Sequence, residues 1–95
     1  MKKKKYYGKP EYDFNRKIIG VQIKKNYKIL VTFDALNILV GPTKVLYDIK
    51  NNRSLAGLVH SNLYNKINFT TGFIFWGEFE YILFDDDIWK NGLHL

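Results

Sequence analysis

Apolar and polar residues alternate along three short segments in the first half of the chain, a pattern that is typical of half-buried β-strands. The segments are residues 17–23, residues 27–33 and a third that begins at residues 38–40. A Gly-Pro pair at residues 41–42 interrupts the third segment, as a bulge or a short loop, before it continues over residues 44–49. In the first segment, the apolar side chains expected to share one face are Ile19, Val21 and Ile23.

The apolar spacing changes after this third segment. An i, i+3, i+4, i+8 pattern predicts a helix lying on a sheet, and its apolar members are Leu55, Leu58, Val59 and Leu63. Residues 66–69 and 73–76 then predict a hairpin around a Thr-Thr-Gly turn. The order β-β-β-α-β-β predicts an α+β fold, in which a small antiparallel sheet of about five strands carries one helix on one face.

Two of the predicted strands are apolar on both faces, at residues 29–31 and 73–76. A strand with one solvated face alternates, whereas a strand covered on both sides does not. Because one helix covers only one face, something else must cover the other. The carboxy-terminal segment, a second copy and a different protein are all open at this point. The sixteen aromatic residues in the chain (Trp 2, Tyr 7, Phe 7) favour an apolar interface.

The net charge of +6 is unevenly distributed. Residues 1–28 hold ten basic and two acidic residues, which gives 10 − 2 = +8. Residues 29–95 hold five basic and seven acidic residues, which gives 5 − 7 = −2. We therefore expect residues 1–15 to form a basic, flexible arm and residues 16–95 to form a single domain. The chain is a poor candidate for sequence-specific DNA reading, because almost all of its basic residues are lysines, which supply unspecific phosphate attraction.

The lysines and tyrosines of the arm have two interpretations. They form a solubilising tail, or they bind nucleic acid by tracking phosphates while the rings stack on bases. The residues that the nucleic-acid hypothesis uses are Lys2, Lys3, Lys4, Lys5, Tyr6, Tyr7, Lys24, Lys25 and Lys28.

No catalytic or metal-binding spacing stands out in the sequence. His60 and His94 are far apart and neither belongs to a metal-ligand motif. The acidic run Asp85, Asp86 and Asp87 lacks EF-hand spacing, so a solvated turn at a helix start is the expected role, with docking of a basic segment as the alternative. We therefore expect a non-enzyme with no cofactor and no metal.

The compartment is predicted from two features. The chain has no cysteine, which suits a reducing environment, and it has no apolar run long enough to span a bilayer. We expect a cytoplasmic protein without a membrane partner.

Several short motifs resemble the small bacterial domain-of-unknown-function family 2442. They are the strand–turn–strand pattern ending at residues 31–34 (Val-Thr-Phe-Asp), residues 47–49 (Tyr-Asp-Ile), the helix ending near residues 63–64, the hairpin ending at residues 75–76 and the closing residues 86–89 (Asp-Asp-Ile-Trp). The inserted segment at residues 39–42 and Trp89 in place of the family's usual Tyr depart from the pattern. The resemblance implies a small α+β domain without established catalytic residues, found alone, fused to helix-turn-helix modules, or beside toxin–antitoxin and other bacterial defence genes.

These observations together predict a non-catalytic accessory protein. We expect it to form a homodimer and to dock on a larger partner, which in the family's setting is a nucleic-acid-handling effector such as a CRISPR nuclease or a toxin. The alternative is an antitoxin-like regulator that binds nucleic acid directly. The residues expected at the protein interface are Leu30, Ile74, Trp76, Phe79, Tyr81 and Trp89.

Overall fold

The computed structural model of the chain describes residues 16–34, 39 and 41–95. The predicted arm at residues 1–15, and residues 38 and 40 of the predicted third strand, lie outside the described residues.

The described chain forms short strands joined by tight turns, with one α-helix near its end. The strands are β1 (Ile18–Lys24), β2 (Lys28–Phe33), β3 (Thr43–Asp48), β4 (Ile67–Phe69), β5 (Phe73–Trp76), β6 (Tyr81–Phe84) and β7 (Leu93–His94). The α-helix is α1 (Asp85–Asn91), and 3-10 turns cover Lys25–Tyr27, Ile49–Asn51 and Arg53–His60.

The strands form two antiparallel sheets. The first sheet has the order β1-β2-β3-β7 and the second has the order β4-β5-β6. The predicted α+β class and the antiparallel pairing are confirmed. The prediction of one sheet of about five strands is corrected, because the hairpin gains β6 and separates as its own sheet, while β7 adds a short strand beside β3.

The first sheet is built around β2, in which buried and half-buried positions alternate. Ile29, Val31 and Phe33 are fully buried, whereas the residues between them are half-buried. A register shift between Ile18 and Gly20 changes the expected face of β1. This bulge buries Ile18 and turns Ile19 outward, so the predicted inward position of Ile19 is corrected.

The core lies between the inner faces of the two sheets. Trp76 and Ile74 of β5 and Leu83 of β6 belong to the same buried cluster as the inner residues of β2 and β3. Ile88 of α1 completes this cluster from the carboxy-terminal end. One continuous core therefore joins both sheets, although they share no strand.

The predicted helix forms as a 3-10 helix that ends at His60. Leu55 and Leu58 are buried, and their i, i+3 spacing fits three residues per turn. Asn52 caps this helix, because its side chain accepts a hydrogen bond from the backbone N–H of Ser54. Leu63 lies beyond the helix and packs against the core from the following turn.

Two further predictions concern the ends of elements. Leu39 lies in a turn and is 91% exposed, so it is not part of a strand, and β3 begins only at Thr43. The acidic run forms the first turn of α1, where carboxylates suit the helix dipole. No helix among the described residues is long and apolar enough to cross a membrane.

Candidate protein-binding surface

The outer face of the second sheet carries a cluster of apolar side chains, mostly aromatic. Phe73 and Phe75 of β5 lie opposite Phe84 and Ile82 of β6, so all four project to one side. Phe79, from the turn between these strands, adds a fourth ring and a fifth apolar side chain. We call these five residues, Phe73, Phe75, Phe79, Ile82 and Phe84, the aromatic face.

The rings of the aromatic face contact one another closely. Phe75 and Phe79 are stacked with their centroids 4.3 Å apart and an interplanar angle of 21°. Phe73 lies 5.9 Å from Phe75 and 5.8 Å from Phe84. Such pairs stabilise their arrangement by about 0.5–1.5 kcal/mol beyond the burial of area, so the cluster is preformed.

The aromatic face is open to solvent. Phe79 is 54%, Phe84 58% and Ile82 38% exposed, while Phe73 and Phe75 are half-buried. The carboxy-terminal segment packs elsewhere, because Trp89 of α1 contacts Phe33 of the first sheet and β7 pairs with β3. The described chain therefore leaves this face uncovered. Contiguous exposed apolar patches mark interaction sites more often than isolated apolar residues do.

Phe79 holds its exposed ring at a backbone cost. Its φ angle is +68°, in the left-handed region that non-glycine residues rarely adopt. This conformation costs an L-residue about 1–2 kcal/mol. Gly77, in the same turn, has φ +66° at no such cost. A large apolar residue in a strained turn, with its ring in solvent, is a feature of binding sites more than of stability.

The hairpin turn between β1 and β2 offers a matched comparison. Tyr27, between β1 and β2, also has a left-handed backbone, with φ +60°. Its ring meets Tyr64 edge-on with the centroids 5.1 Å apart. Tyr64 is buried, so the ring of Tyr27 covers the chain's own core, unlike that of Phe79.

Carboxylates surround the aromatic face. Glu78 and Glu80 are exposed in the β5–β6 turn, and Asp85 and Asp86 follow Phe84 directly. Residues 67–91 carry one lysine and five acidic residues, which gives 1 − 5 = −4. A basic segment is the charge complement of this region.

The structure divides the predicted interface residues among different environments. Ile74 and Trp76 are 0% exposed, so a partner cannot reach them without opening the core, and the candidate surface does not include them. Phe79 belongs to the aromatic face. Leu30 lies on the outer face of the first sheet, opposite Gln22 and Leu46.

The two remaining predicted interface residues pack within the chain. Tyr81 packs against the core from β6, and its hydroxyl approaches Gly57 so closely that a Cβ at Gly57 would lie 2.7 Å from it. Trp89 is half-buried between Phe33 and His94, with ring centroids 5.1 and 4.6 Å away.

The predicted basic residues that the structure describes lie at the β1–β2 turn. Lys24 and Lys28 are directly paired across the strands, and Lys25 begins the turn. Lys28 also lies opposite Asp48 of β3. Lys2, Lys3, Lys4, Lys5, Tyr6 and Tyr7 lie outside the described residues.

A polar pocket of about 470 Å³ lies between α1 and the segment that follows β3. Asp87 is its centre: it accepts hydrogen bonds from the Tyr47 hydroxyl (3.1 Å), the Asn52 amide (3.2 Å) and the Asn91 amide (2.7 Å). Asn52 also donates to the Tyr47 hydroxyl at 2.8 Å. These bonds tie α1 to the first sheet, so the network serves the fold.

Burial raises the pKa of the Tyr47 phenol above its usual value, and the nearby Asp87 carboxylate acts in the same direction. The hydrogen bond from Asn52 opposes this shift. Burial likewise raises the pKa of Tyr64. Both phenols are therefore neutral at physiological pH, and neither has the lowered pKa of an activated nucleophile.

The histidines and acidic residues do not converge on a common site. His60 is exposed at the end of the 3-10 helix, and His94 lies next to the Trp89 carbonyl, with its Nε2 2.7 Å from that oxygen. Across the part of the chain that the structure describes, no three His, Asp or Glu side chains are grouped to hold a metal ion.

Four members of the aromatic face were missed by sequence reasoning, namely Phe73, Phe75, Ile82 and Phe84. The available signal was the alternation within residues 73–76, where burying Ile74 and Trp76 requires the two phenylalanines to face the other way. Ile82 and Phe84 carry the same signal in β6.

Comparison of the chain with family models, with curated proteins and with solved structures finds no match. The resemblance to family 2442 therefore stays a prediction.

Proposed function

We propose that this chain is a non-catalytic adaptor that associates with a second copy of itself through the aromatic face. The observation that carries the proposal is Phe79, an exposed ring held by a strained backbone and stacked on Phe75. Burial of the ring in a complex would offset the free-energy cost of this backbone conformation, since buried aromatic residues supply a large share of the binding free energy of an interface. The absence of cysteine favours the cytoplasm as the place of action.

Phe79→Asn tests this proposal. Asparagine tolerates the left-handed backbone but lacks the ring, so the change should keep the fold and remove the anchor. We expect the dimer dissociation constant, measured by sedimentation from low micromolar to near-millimolar concentration, to rise by about tenfold or more.

Tyr27→Asn is the matched control, because it replaces an aromatic residue of the same backbone conformation in the other sheet. It should leave self-association unchanged. A natural chain that stays monomeric at every concentration would contradict the proposal, as would equal weakening by both substitutions.

A larger partner is the second part of the proposal. The family resemblance implies a nucleic-acid-handling defence effector, which would take the place of the second copy on the aromatic face. Affinity purification from the native host, followed by native mass spectrometry, identifies such a partner and its stoichiometry. Loss of that partner with Phe79→Asn, and its retention with Tyr27→Asn, is the expected result.

Direct nucleic-acid binding is the second candidate function, and the paired Lys24 and Lys28 favour it. Each phosphate neutralised should steepen the dependence of log affinity on log salt by about 0.7–0.9. Binding of single-stranded DNA that weakens with salt in this way, and is lost when Lys24, Lys25 and Lys28 are changed to Gln, supports this function.

A further inference from the structure

The described chain begins beside one end of the aromatic face. The Arg16 guanidinium contacts the carboxylates of Asp86 at 3.1 Å and Asp85 at 3.8 Å. The same group lies over the Trp89 ring, 4.9 Å from its centroid, and its side chain is only 7% exposed. Arg16 is therefore fixed to the start of α1, directly after Phe84.

The backbone next to Arg16 is fixed to the same corner. The N–H of Ile18 donates to the Thr71 carbonyl at 2.9 Å, and the N–H of Asp85 donates to the Gly72 carbonyl at 3.0 Å. Thr71 and Gly72 form the turn that leads into Phe73. The described chain thus starts near the corner where Phe73, the first residue of β5, is paired with Phe84, the last residue of β6.

Residues 1–15 have the length to reach across the aromatic face. An extended chain spans about 3.3 Å per residue, so fifteen residues cover up to about 50 Å. A four-residue strand is only about 13 Å long, and neighbouring strands are about 4.8 Å apart. The residues just before Arg16 are enough to cover the whole second sheet.

The composition of residues 1–15 complements this region. The segment contains the rings of Tyr6, Tyr7, Tyr12 and Phe14. It carries five lysines and two acidic residues, a net charge of 5 − 2 = +3, against the net charge of −4 over residues 67–91, which the contact of Arg16 with Asp85 and Asp86 reduces to −4 + 1 = −3. A ligand for this face needs aromatic side chains to pack on its rings and basic side chains to pair with the carboxylates beside it, and the segment contains both.

We infer that residues 1–15 bind the aromatic face of their own chain and compete there with the second copy. The inference rests on the proposed function, since it assigns a regulator to the same docking surface. Because the segment is covalently attached at Arg16, its effective concentration at this face is of the order of millimolar. The protein then self-associates only when another copy displaces the tethered segment.

The absence of natural cysteines allows a direct test by thiol labelling. Ile82→Cys places one thiol on the aromatic face, and Leu93→Cys places the control thiol on an exposed position of the first sheet. Each is introduced into the full chain and into a full-length variant in which Tyr6, Tyr7, Tyr12 and Phe14 are changed to Ser. The alkylation rate with iodoacetamide is measured over a wide range of protein concentration.

We expect the Ile82→Cys thiol to react at least about threefold more slowly with the natural segment than with the serine variant, as for a site occupied most of the time. This protection should persist at the lowest protein concentration, because binding within one chain does not depend on dilution. The Leu93→Cys thiol should react equally in both backgrounds.

The other outcomes separate the inference from the proposed function. Protection that appears only at high concentration, and equally in both backgrounds, overturns the inference and keeps the dimer. Protection that needs both high concentration and the natural segment indicates exchange of the segment between copies, which also overturns binding within one chain. Equal, unprotected rates at every concentration overturn both proposals. Protection at all concentrations without any dimer supports the inference and overturns the proposed function.

Discussion

Both sheets contribute buried side chains to the core, but they differ on their outer faces. On the first sheet, polar and aliphatic side chains are mixed: Gln22, Thr32 and Lys44 lie on the same face as Leu30, Leu46 and Leu93. On the second sheet the corresponding face is almost wholly aromatic. The inner residues of both sheets are explained by folding, whereas the outer face of the second sheet is a contiguous group of aromatic rings that the described chain leaves exposed. The difference separates the residues that hold the protein together from those available to a partner.

The largest expected effect tests whether the two sheets share one core. Ile29 in β2 and Ile74 in β5 are both 0% exposed and central in their sheets. Changing either one to Ala should lower the free energy of unfolding by about 2–5 kcal/mol, because methyl groups are lost and a cavity is left. Urea denaturation followed by circular dichroism measures this loss.

Ile19→Ala is the control, because Ile19 is exposed and should change stability by no more than about 0.5 kcal/mol. If Ile74→Ala produced a separate, earlier transition and left the rest of the signal unchanged, the sheets would be two folding units and the comparison would fail.

A smaller effect is expected at the contact that joins the start of β1 to α1. Arg16→Gln removes a charged hydrogen bond to Asp86 and the stacking on Trp89, so it should cost about 1.5–3 kcal/mol of unfolding free energy. Lys90→Gln removes an exposed i, i+4 pair with the same Asp86 and should cost only about 0.2–0.5 kcal/mol. Equal losses of unfolding free energy in the two variants would mean that the burial of Arg16 does not strengthen its contact with Asp86.

The smallest expected effect is a loss of stability at alkaline pH, caused by Tyr47 on the inner face of the first sheet. The pKa of Tyr47 is raised in the folded chain, so the folded state favours the neutral phenol. This contribution is fully present below the unfolded tyrosine pKa of about 10, and it is lost as pH rises through the higher folded value. Stability should therefore fall above about pH 10.

Tyr47→Phe should make that alkaline fall less steep, while the pKa shift of Tyr64 keeps part of it. Thermal unfolding between neutral and alkaline pH measures both slopes. An unchanged slope in Tyr47→Phe would show that this phenol does not titrate differently in the folded state.

The sequence predicts local patterns well because they follow from side-chain period. Alternation in β2 and in residues 73–76 was sufficient to place both strands and the hairpin between β4 and β5. Side-chain periodicity could not predict the bulge at Ile18 or the 3-10 geometry near Leu55. A one-residue shift leaves the composition unchanged, and i, i+3 spacing fits both kinds of helix.

The candidate surface was harder to predict than the fold. A run such as Phe73–Trp76 indicates that both faces are apolar, but it does not say which face the rest of the chain covers. That depends on long-range packing, namely the route of α1 towards Phe33 and the pairing of β7 with β3. The left-handed backbone of Phe79 is likewise set by a four-residue turn. The sequence of this turn, Gly-Glu-Phe-Glu, gives no reason to expect that conformation at the phenylalanine.

The two tryptophans give the molecule a built-in optical reporter. Trp76 is wholly buried, and its indole N–H has no hydrogen-bond partner among the described residues, so its fluorescence should come from a dry, apolar environment. Trp89 is half-buried beneath the guanidinium of Arg16, the first residue of the described chain. Emission from Trp76 should therefore report global unfolding. Quenching of Trp89 should report whether the Arg16 guanidinium stays in contact with its ring. Replacing either tryptophan with Phe allows the two signals to be observed separately.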